Sequence, residues 1–373
     1  MTFVFCGKLV QVTRDMITSR GGVVLTHNQV VRDTTVVVRL FGAKLTSRVQ
    51  HFTDENIFDE DGGYAWTDFP SFLNAYDSVS SCLKNAKDYR DIMYEYLKDC
   101  SSQNVIYAET FISPDHASDC GISYNDLIRG CAKGIDDAQI DFGIIGRIIV
   151  TCVRHLGPQK GIDVAQKMVD NPHSYVVGFG MGGDENSFKL IDFAPAFNIA
   201  AKANYPCTVH AGEICGPESV WDAINYLPVS RIGHGVRSVE DEHLLDELKN
   251  RNIALEICPG SNLALSIYPS WESHPLKLIM SKGISVSLNS DDPPFFHTSV
   301  GQEYQGCSNQ LGFEIMHLWW KGWPESKSTR VFLTHGPTTK LHHFCYDIMC
   351  SEINSTIMIA LRLQAVQVIY ATF

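Results

Sequence analysis

Several features are missing from this sequence, and each absence removes a class of protein. Its 12 cysteines never fall as C-x-x-C, so a structural zinc on thiolates has no motif to sit in. No apolar run approaches the ~18 residues that would span a bilayer. Met1–Val10 has neither a basic start nor a long apolar core, so no secretory leader is expected, and the thiols read as free cysteines of a reducing cytoplasm. Nor is there a basic run, and the net charge is −12. A nucleic-acid backbone is therefore not an expected partner, and a small neutral or cationic substrate fits better. Internal repeats and low-complexity linkers are also missing.

What is present is a chain of 373 residues, 45% hydrophobic and 19% charged, enough to bury one large α/β core or two ordinary ones. Residues 1–56 are hard to organise: Val23–Leu25 and Val36–Phe41 could be strands, but neither periodicity is clean. From about Ile57 the pattern becomes regular. Asp68 precedes Phe72, Leu73, Tyr76 and Val79 at helical spacing, and Tyr89, Ile92, Met93, Tyr96 and Leu97 mark a second helix. Strands are then expected at Val105–Ile112, Ile144–Cys152, Ser174–Phe179, Cys207–Val209, Val229–Ile232, Ile253–Ile257 and Ile284–Leu288. Between them, helices are expected at Tyr124–Phe142, Gly161–Val169, Phe188–Ala203, Pro217–Tyr226, Asp241–Lys249 and Pro275–Lys282. Seven strand–helix units with short connections require a parallel sheet. With one earlier unit they make a (β/α)₈ TIM barrel; an open doubly wound sheet is the alternative. After Tyr304 the regularity falters, although Ile357–Tyr370 has the pattern of one amphipathic helix.

Polar residues cluster where the strands end, as they do at the reactive rim of a parallel barrel. His210 follows Cys207–Val209, with Glu213 three positions on. Zinc hydrolases use such a non-ligating acid to move protons, but a histidine at a strand end in an isolated H-x-x-E is more often simply hydrogen-bonded. His234 lies between two glycines that would leave its ring uncovered. Asp291-Asp292-Pro293 puts two acids where burial would be costly without a cation or substrate, or else forms a solvated turn or helix cap. Gly182-Gly183 lacks the spacing and the lysine of a phosphate loop, so close backbone approach to a flat ligand is the better reading. Ser261 and Asn262 either line the same rim or cap a turn. Cys258 has no activating partner nearby in the sequence.

The segments T-V-H-A-G-E, S-R-I-G-H-G, L-E-I-C-P-G-S-N and L-N-S-D-D-P-P-F-F, in this order, closely resemble the adenosine deaminases of the metal-dependent amidohydrolase superfamily. The likeness runs from about Ile57 to Tyr304. It implies a TIM barrel with one zinc at the C-terminal rim and a purine nucleoside substrate deaminated by water at C6. By that resemblance His210 and Asp291 would bind the zinc, and Glu213 would protonate purine N1. His234 would help deprotonate or orient the attacking water. Asp292 would bond the N7 edge, and the Gly183 N–H the N3 edge. Adenine or another aminopurine is the alternative substrate, and a non-catalytic purine-binding barrel the alternative from another class.

The resemblance also implies an H-x-H at the end of the first strand, and no H-x-H occurs in this chain. His27 stands near the expected place, flanked by Asn28 and Gln29. The barrel is therefore expected to be incomplete at its first strand, with residues 1–56 and 305–373 atypical around a well-matched 57–304. A damaged or misread frame would produce such abrupt edges; an intact frame found on resequencing would count against it.

Overall fold

A computed structural model of the chain describes residues 35–40, 43–48, 66–313 and 370–372. Strand β1 (Thr35–Leu40) pairs antiparallel with β2 (Ala43–Arg48), Thr35 opposite Arg48. This hairpin is a sheet of its own, so the expected strand at 36–41 exists but does not enter the barrel. The expectations at Val23–Leu25 and His27 lie outside the described residues, as does the helix expected over Ile357–Tyr370 except for Tyr370, which is the first residue of a strand and not helical.

Asp68 opens the helix Phe69–Ser80: its carboxylate accepts the Ser71 N–H, and the Ser71 hydroxyl returns the bond in a capping box. The buried face of that helix is Phe72, Ala75, Tyr76 and Val79, the i, i+3, i+4, i+7 stripe of a helix lying on a core. Ala86–Ser102 follows, capped by Asn85.

The sheet proper holds β3 (Tyr107–Ile112), β4 (Ile145–Val153), β5 (Val176–Gly182), β6 (Cys207–Ala211), β7 (Val229–His234), β8 (Ala254–Ile257) and β9 (Val286–Leu288). All seven are parallel and lie in sequence order. Crossover helices return the chain between them, as parallel neighbours demand. This is the curled sheet of a TIM barrel. At its open edge beside β3, the position of a first barrel strand, lies β10 (Tyr370–Thr372), parallel to Glu109–Phe111. Among the described residues β9 and β10 do not pair, so the barrel is incomplete there.

Most boundaries shift by one to three residues from the sequence expectation, and two of the differences have a clear physical reason. The strand expected to stop at Phe179 continues to Gly182 because β4 pairs with it to that point, Thr151 opposite Gly180 and Val153 opposite Gly182, and Gly180 suits a crowded interior. A Cβ there would lie 3.1 Å from the Thr151 hydroxyl and 3.2 Å from the Phe111 ring. The helix expected over 188–203 begins as a 3-10 turn at Leu190–Phe193 and becomes α only at Ala194–Lys202. Pro195 supplies no N–H, so it can sit only in the first turn of the α segment.

The barrel interior carries a charged layer. Arg231 on β7 reaches Glu109 on β3 and Glu256 on β8, each at 2.9 Å, and all three are almost wholly buried. The Tyr107 hydroxyl donates to Glu109 and the Thr208 hydroxyl to Glu256, both at 2.9 Å. Trp66 packs edge to face on Phe296 and Phe72 on Phe295, Phe72 also lies tilted against Phe296, and the Trp66 indole donates to the Phe295 carbonyl at 3.0 Å. That contact clamps the first helix against the short helix Pro293–Phe296, immediately after Asp291-Asp292.

Candidate active site

Parallel strands in register bring their C-terminal ends to one rim. His210 lies opposite Gly233 and Ala211 opposite His234, so two histidines from adjacent strands meet with ring centroids 4.8 Å apart. The role read for the flanking glycines needs correction. A Cβ on Gly233 would stand 2.4 Å from Cδ2 of His210, and one on Gly235 would stand 2.6 Å from Leu255. The glycines make room for the His210 ring and for Leu255, not for His234, which is 2% exposed.

His234 holds a left-handed backbone, φ 60°, and Asp291 does the same at φ 57°. Non-glycine residues rarely stay there without compensation, at roughly 1–3 kcal/mol each. Both lie where a strand hands over to the rim. The turns aim His234 Nδ1 at Glu213 Oε1, 3.4 Å away, and His234 Nε2 at Asp291 Oδ2, 3.8 Å away.

Burial dominates the electrostatics. It lifts the Glu213 carboxyl to about 7, opposed by His234 and reinforced by Asp291 and Glu185. It pushes Asp292 well above the usual carboxylate range, with Asp291 and Glu213 adding to the effect. Desolvation, reinforced by His234, holds the His210 ring neutral. Both oxygens of Asp292 are buried and without a partner among the described residues. A protonated carboxyl left unbonded in a core costs free energy that a ligand bearing an acceptor would recover. The turn-or-cap reading of Asp292 falls here: it precedes the helix Pro293–Phe296 but its side chain makes no cap bond.

Gly183 leaves the end of β5, beside β6, at φ 103°, and a Cβ there would lie 2.9 Å from Nδ1 of His155. The position accepts no side chain without strain, which brings main chain rather than side chain to the rim. Cys258 is buried, and its thiol is pushed well above the ordinary range by burial and by the surrounding carboxylates, so it is no nucleophile.

Asn262 does more than cap a turn. The Leu276 N–H donates to His274 Nδ1 at 3.2 Å, so the proton of that ring is on Nε2. Nε2–H meets the Asn262 carbonyl oxygen at 3.2 Å, which turns the amide nitrogen toward Glu213 Oε1 and His234 Nδ1, both at 3.5 Å. Burial lowers His274 to about 4, so it stays neutral and the order of donors is fixed. Glu303, also missed in the sequence, is raised to about 7 by burial; it takes the Gly260 N–H at 2.9 Å and the Thr298 hydroxyl. Neither contact has a local signature, because each partner comes from another element.

Two groups of ligand-type atoms lie within 4.8 Å of one another: His210, Glu213 and His234, and His234, Cys258 and Asp291. His210 and Asp291 do not fall in one group, and each group draws on His234. A catalytic zinc needs three protein ligands and an open position. The donor chemistry suits zinc, but the described residues do not by themselves complete such a set.

Carboxyls and histidines gathered at the C-terminal rim of a parallel curled sheet define an enzyme of the TIM-barrel class. The adenosine deaminase family model matches residues 55–319. An adenine deaminase of Agrobacterium fabrum is 45% identical over 260 residues, 70% of this chain and 80% of that protein. One from Sinorhizobium medicae is 40% identical over the same coverage. The crystal structure of a zinc-bound amidohydrolase from Burkholderia ambifaria superposes with a TM-score of 0.65 at 25% identity, covering 75% of this chain and 80% of that one. The chain belongs to the adenosine deaminase family, hydrolases of C–N bonds within the metal-dependent amidohydrolases.

Proposed function

We propose that this protein is a hydrolytic aminopurine deaminase whose preferred substrate is the free base adenine, converted by water to hypoxanthine and ammonia. The observation that carries the purine reading is the pair of buried carboxyls. Glu213, raised by burial to about 7, can carry a proton near neutral pH and donate it to a ring nitrogen beside the amino-bearing carbon. Asp292, held protonated with two unpartnered oxygens, can donate to a second ring nitrogen. Protonating the ring lets it accept the electron pair of the attacking oxygen, and the amino group then leaves as ammonia. His234 stands between Glu213 and Asp291, where it can take a proton from the attacking water. The Gly183 N–H at the rim would meet a third edge of the ring.

Adenine is preferred over adenosine, the substrate that the motifs first imply, because relatives at 45% and 40% identity are named adenine deaminases. One zinc per chain is part of the proposal. His210 and Asp291 would be two of its ligands, with the remainder supplied from outside the described residues. No helix among the described residues is long and apolar enough to cross a membrane, and the nine described cysteines are free; a cytoplasmic location accords with both.

The test is ammonia release by the purified full chain supplied with zinc. Adenine should turn over with a kcat/KM at least about tenfold above that for adenosine, and a chelator should abolish the reaction. Faster release from adenosine would overturn the substrate. The incomplete ligand set favours one second reading, a purine-binding barrel without turnover. Adenine binding with no ammonia and no stoichiometric zinc would establish it.

A further inference from the structure

Glu185 enters the chemistry above only as a charge that helps raise Glu213, yet it is the most heavily bonded carboxylate of the rim. The chain leaves β5, turns through Gly183 and Asp184, and buries the Glu185 side chain to 3% exposure. One of its oxygens accepts the Gly212 N–H and the Ser219 hydroxyl, the latter at 2.6 Å. The other accepts the N–H groups of Glu213, Ile214 and Cys215, at 3.1, 2.8 and 2.9 Å. Five donors on two oxygens leave essentially no acceptor capacity unused.

The four main-chain donors are consecutive. They belong to the segment between β6, which ends at Ala211, and the helix Pro217–Tyr226. Successive N–H groups pointing into one hollow form an anion nest, and the left-handed Gly212, φ 69°, opens it. The nest is filled by the protein's own carboxylate. Its buried neighbour Arg154 spends two nitrogens on the carbonyls of Ser187 and Phe188. Glu213 is the second residue of that segment, held by anchored peptides on both sides. Gly183 is two residues before the anchor itself. One side chain thus fixes the proton donor and the backbone edge of the pocket relative to each other.

We propose that Glu185 is a positioning residue of this site: its carboxylate holds residues 212–215 so that Glu213 meets the substrate ring at the right place. The proposal rests on the deaminase reading for its catalytic consequence, but the anchoring is measurable without turnover. Glu185→Gln keeps the shape and sets an amide NH₂ against backbone N–H groups, so at least one oxygen's worth of acceptors is lost and a donor–donor contact is added.

Two measurements on the full zinc-supplied chain test this. In hydrogen exchange, Glu185→Gln should lose protection at the amides of 212–215 while β6 and β7 keep theirs. Equal protection in both proteins overturns the proposal, whether or not the parent turns over adenine. In kinetics, kcat per folded molecule should fall about 100-fold, the scale of a misplacement of roughly 1 Å in a reacting group, with KM for adenine changed less than about threefold. A purely structural role would lower the melting temperature and leave kcat per folded molecule alone, which also overturns the proposal. If the parent releases no ammonia, the deaminase reading fails and exchange alone decides the anchor. If Glu185→Gln does not fold, Ser219→Ala removes one donor from the same carboxylate. It should then lower kcat about two- to tenfold, the worth of one hydrogen bond, with looser exchange at 212–215; no change in either overturns the proposal.

Discussion

Replacing Arg231 with methionine tests the charged layer beneath the rim. The guanidinium is 4% exposed and lies 2.9 Å from both Glu109 and Glu256, themselves 0% and 3% exposed. Methionine fills most of its volume and removes its charge, leaving two carboxyls facing each other in the barrel. Breaking a buried pair by removing one partner costs about 3–5 kcal/mol, which for a domain of this size lowers Tm by roughly 6–20 °C. Both carboxyls are pushed up by burial and held down chiefly by Arg231, so in the variant both rise further. A carboxyl whose folded pKa lies above its unfolded one gives stability that is present below the unfolded value and lost as pH rises through the folded value. The deficit of Arg231→Met should therefore be smallest near pH 5 and grow toward pH 8. The assay is urea unfolding followed by circular dichroism at both pH values. Arg129→Met is the control, since its pair with Asp126 is exposed and is worth at most about 1 kcal/mol. A loss at pH 8 no larger than the control's, or a large loss independent of pH, would refute the account of the layer.

Glu213→Gln should keep the fold and lower kcat for adenine by about 10²–10⁴. In the parent, turnover should fall above pH 7 as the acid that sits at about 7 deprotonates; a rate rising from pH 7 to 9 would contradict the assignment. His210→Ala and Asp291→Ala should each lose zinc measured by elemental analysis, while Glu213→Gln retains it, and zinc content equal in all four proteins would remove both ligands from the proposal. Gly233→Ala forces a Cβ to within 2.4 Å of the His210 ring. An overpacking cost of about 1–3 kcal/mol is expected, together with weaker zinc binding in calorimetry, and parent-like values for both would show that the ring has room to move.

The barrel was legible because its strands are short apolar runs separated by helices with local signals. Asp68, Asn85 and Ser123 cap helices by bonds to residues two or three positions on, and such bonds are written in the sequence. The strand ends were legible for the same reason: His210, His234 and Asp291 each follow directly on a buried run. What escaped was whatever two distant elements make between them. Arg231 read as one letter of a motif, yet its partners lie on β3 and β8. Asn262 read as a rim or turn residue, and only the His274 tautomer, set by the Leu276 N–H, shows which way its amide faces. Gly233 was assigned to the wrong histidine, because register and not sequence adjacency decides whose ring it must clear.

The same distinction separates the two halves of the site. The groups proposed to handle protons lie at the rim of β6 to β9, where Glu213, His234 and Asn262 constrain one another through contacts and Asp292 feels Glu213 through space. Metal holding is not local in that way. His210 and Asp291, the two ligands proposed, come from strands three places apart in the sheet, and among the described residues no single group of ligand-type atoms contains both. On the proposed reading, recognition of a purine ring and possession of a metal are separable, because the residues assigned to each differ. Adenine affinity measured with and without zinc reads the first independently of the second: unchanged affinity after chelation is expected if Glu213 and Asp292 hold the ring, and affinity that vanishes with the metal would mean that they do not.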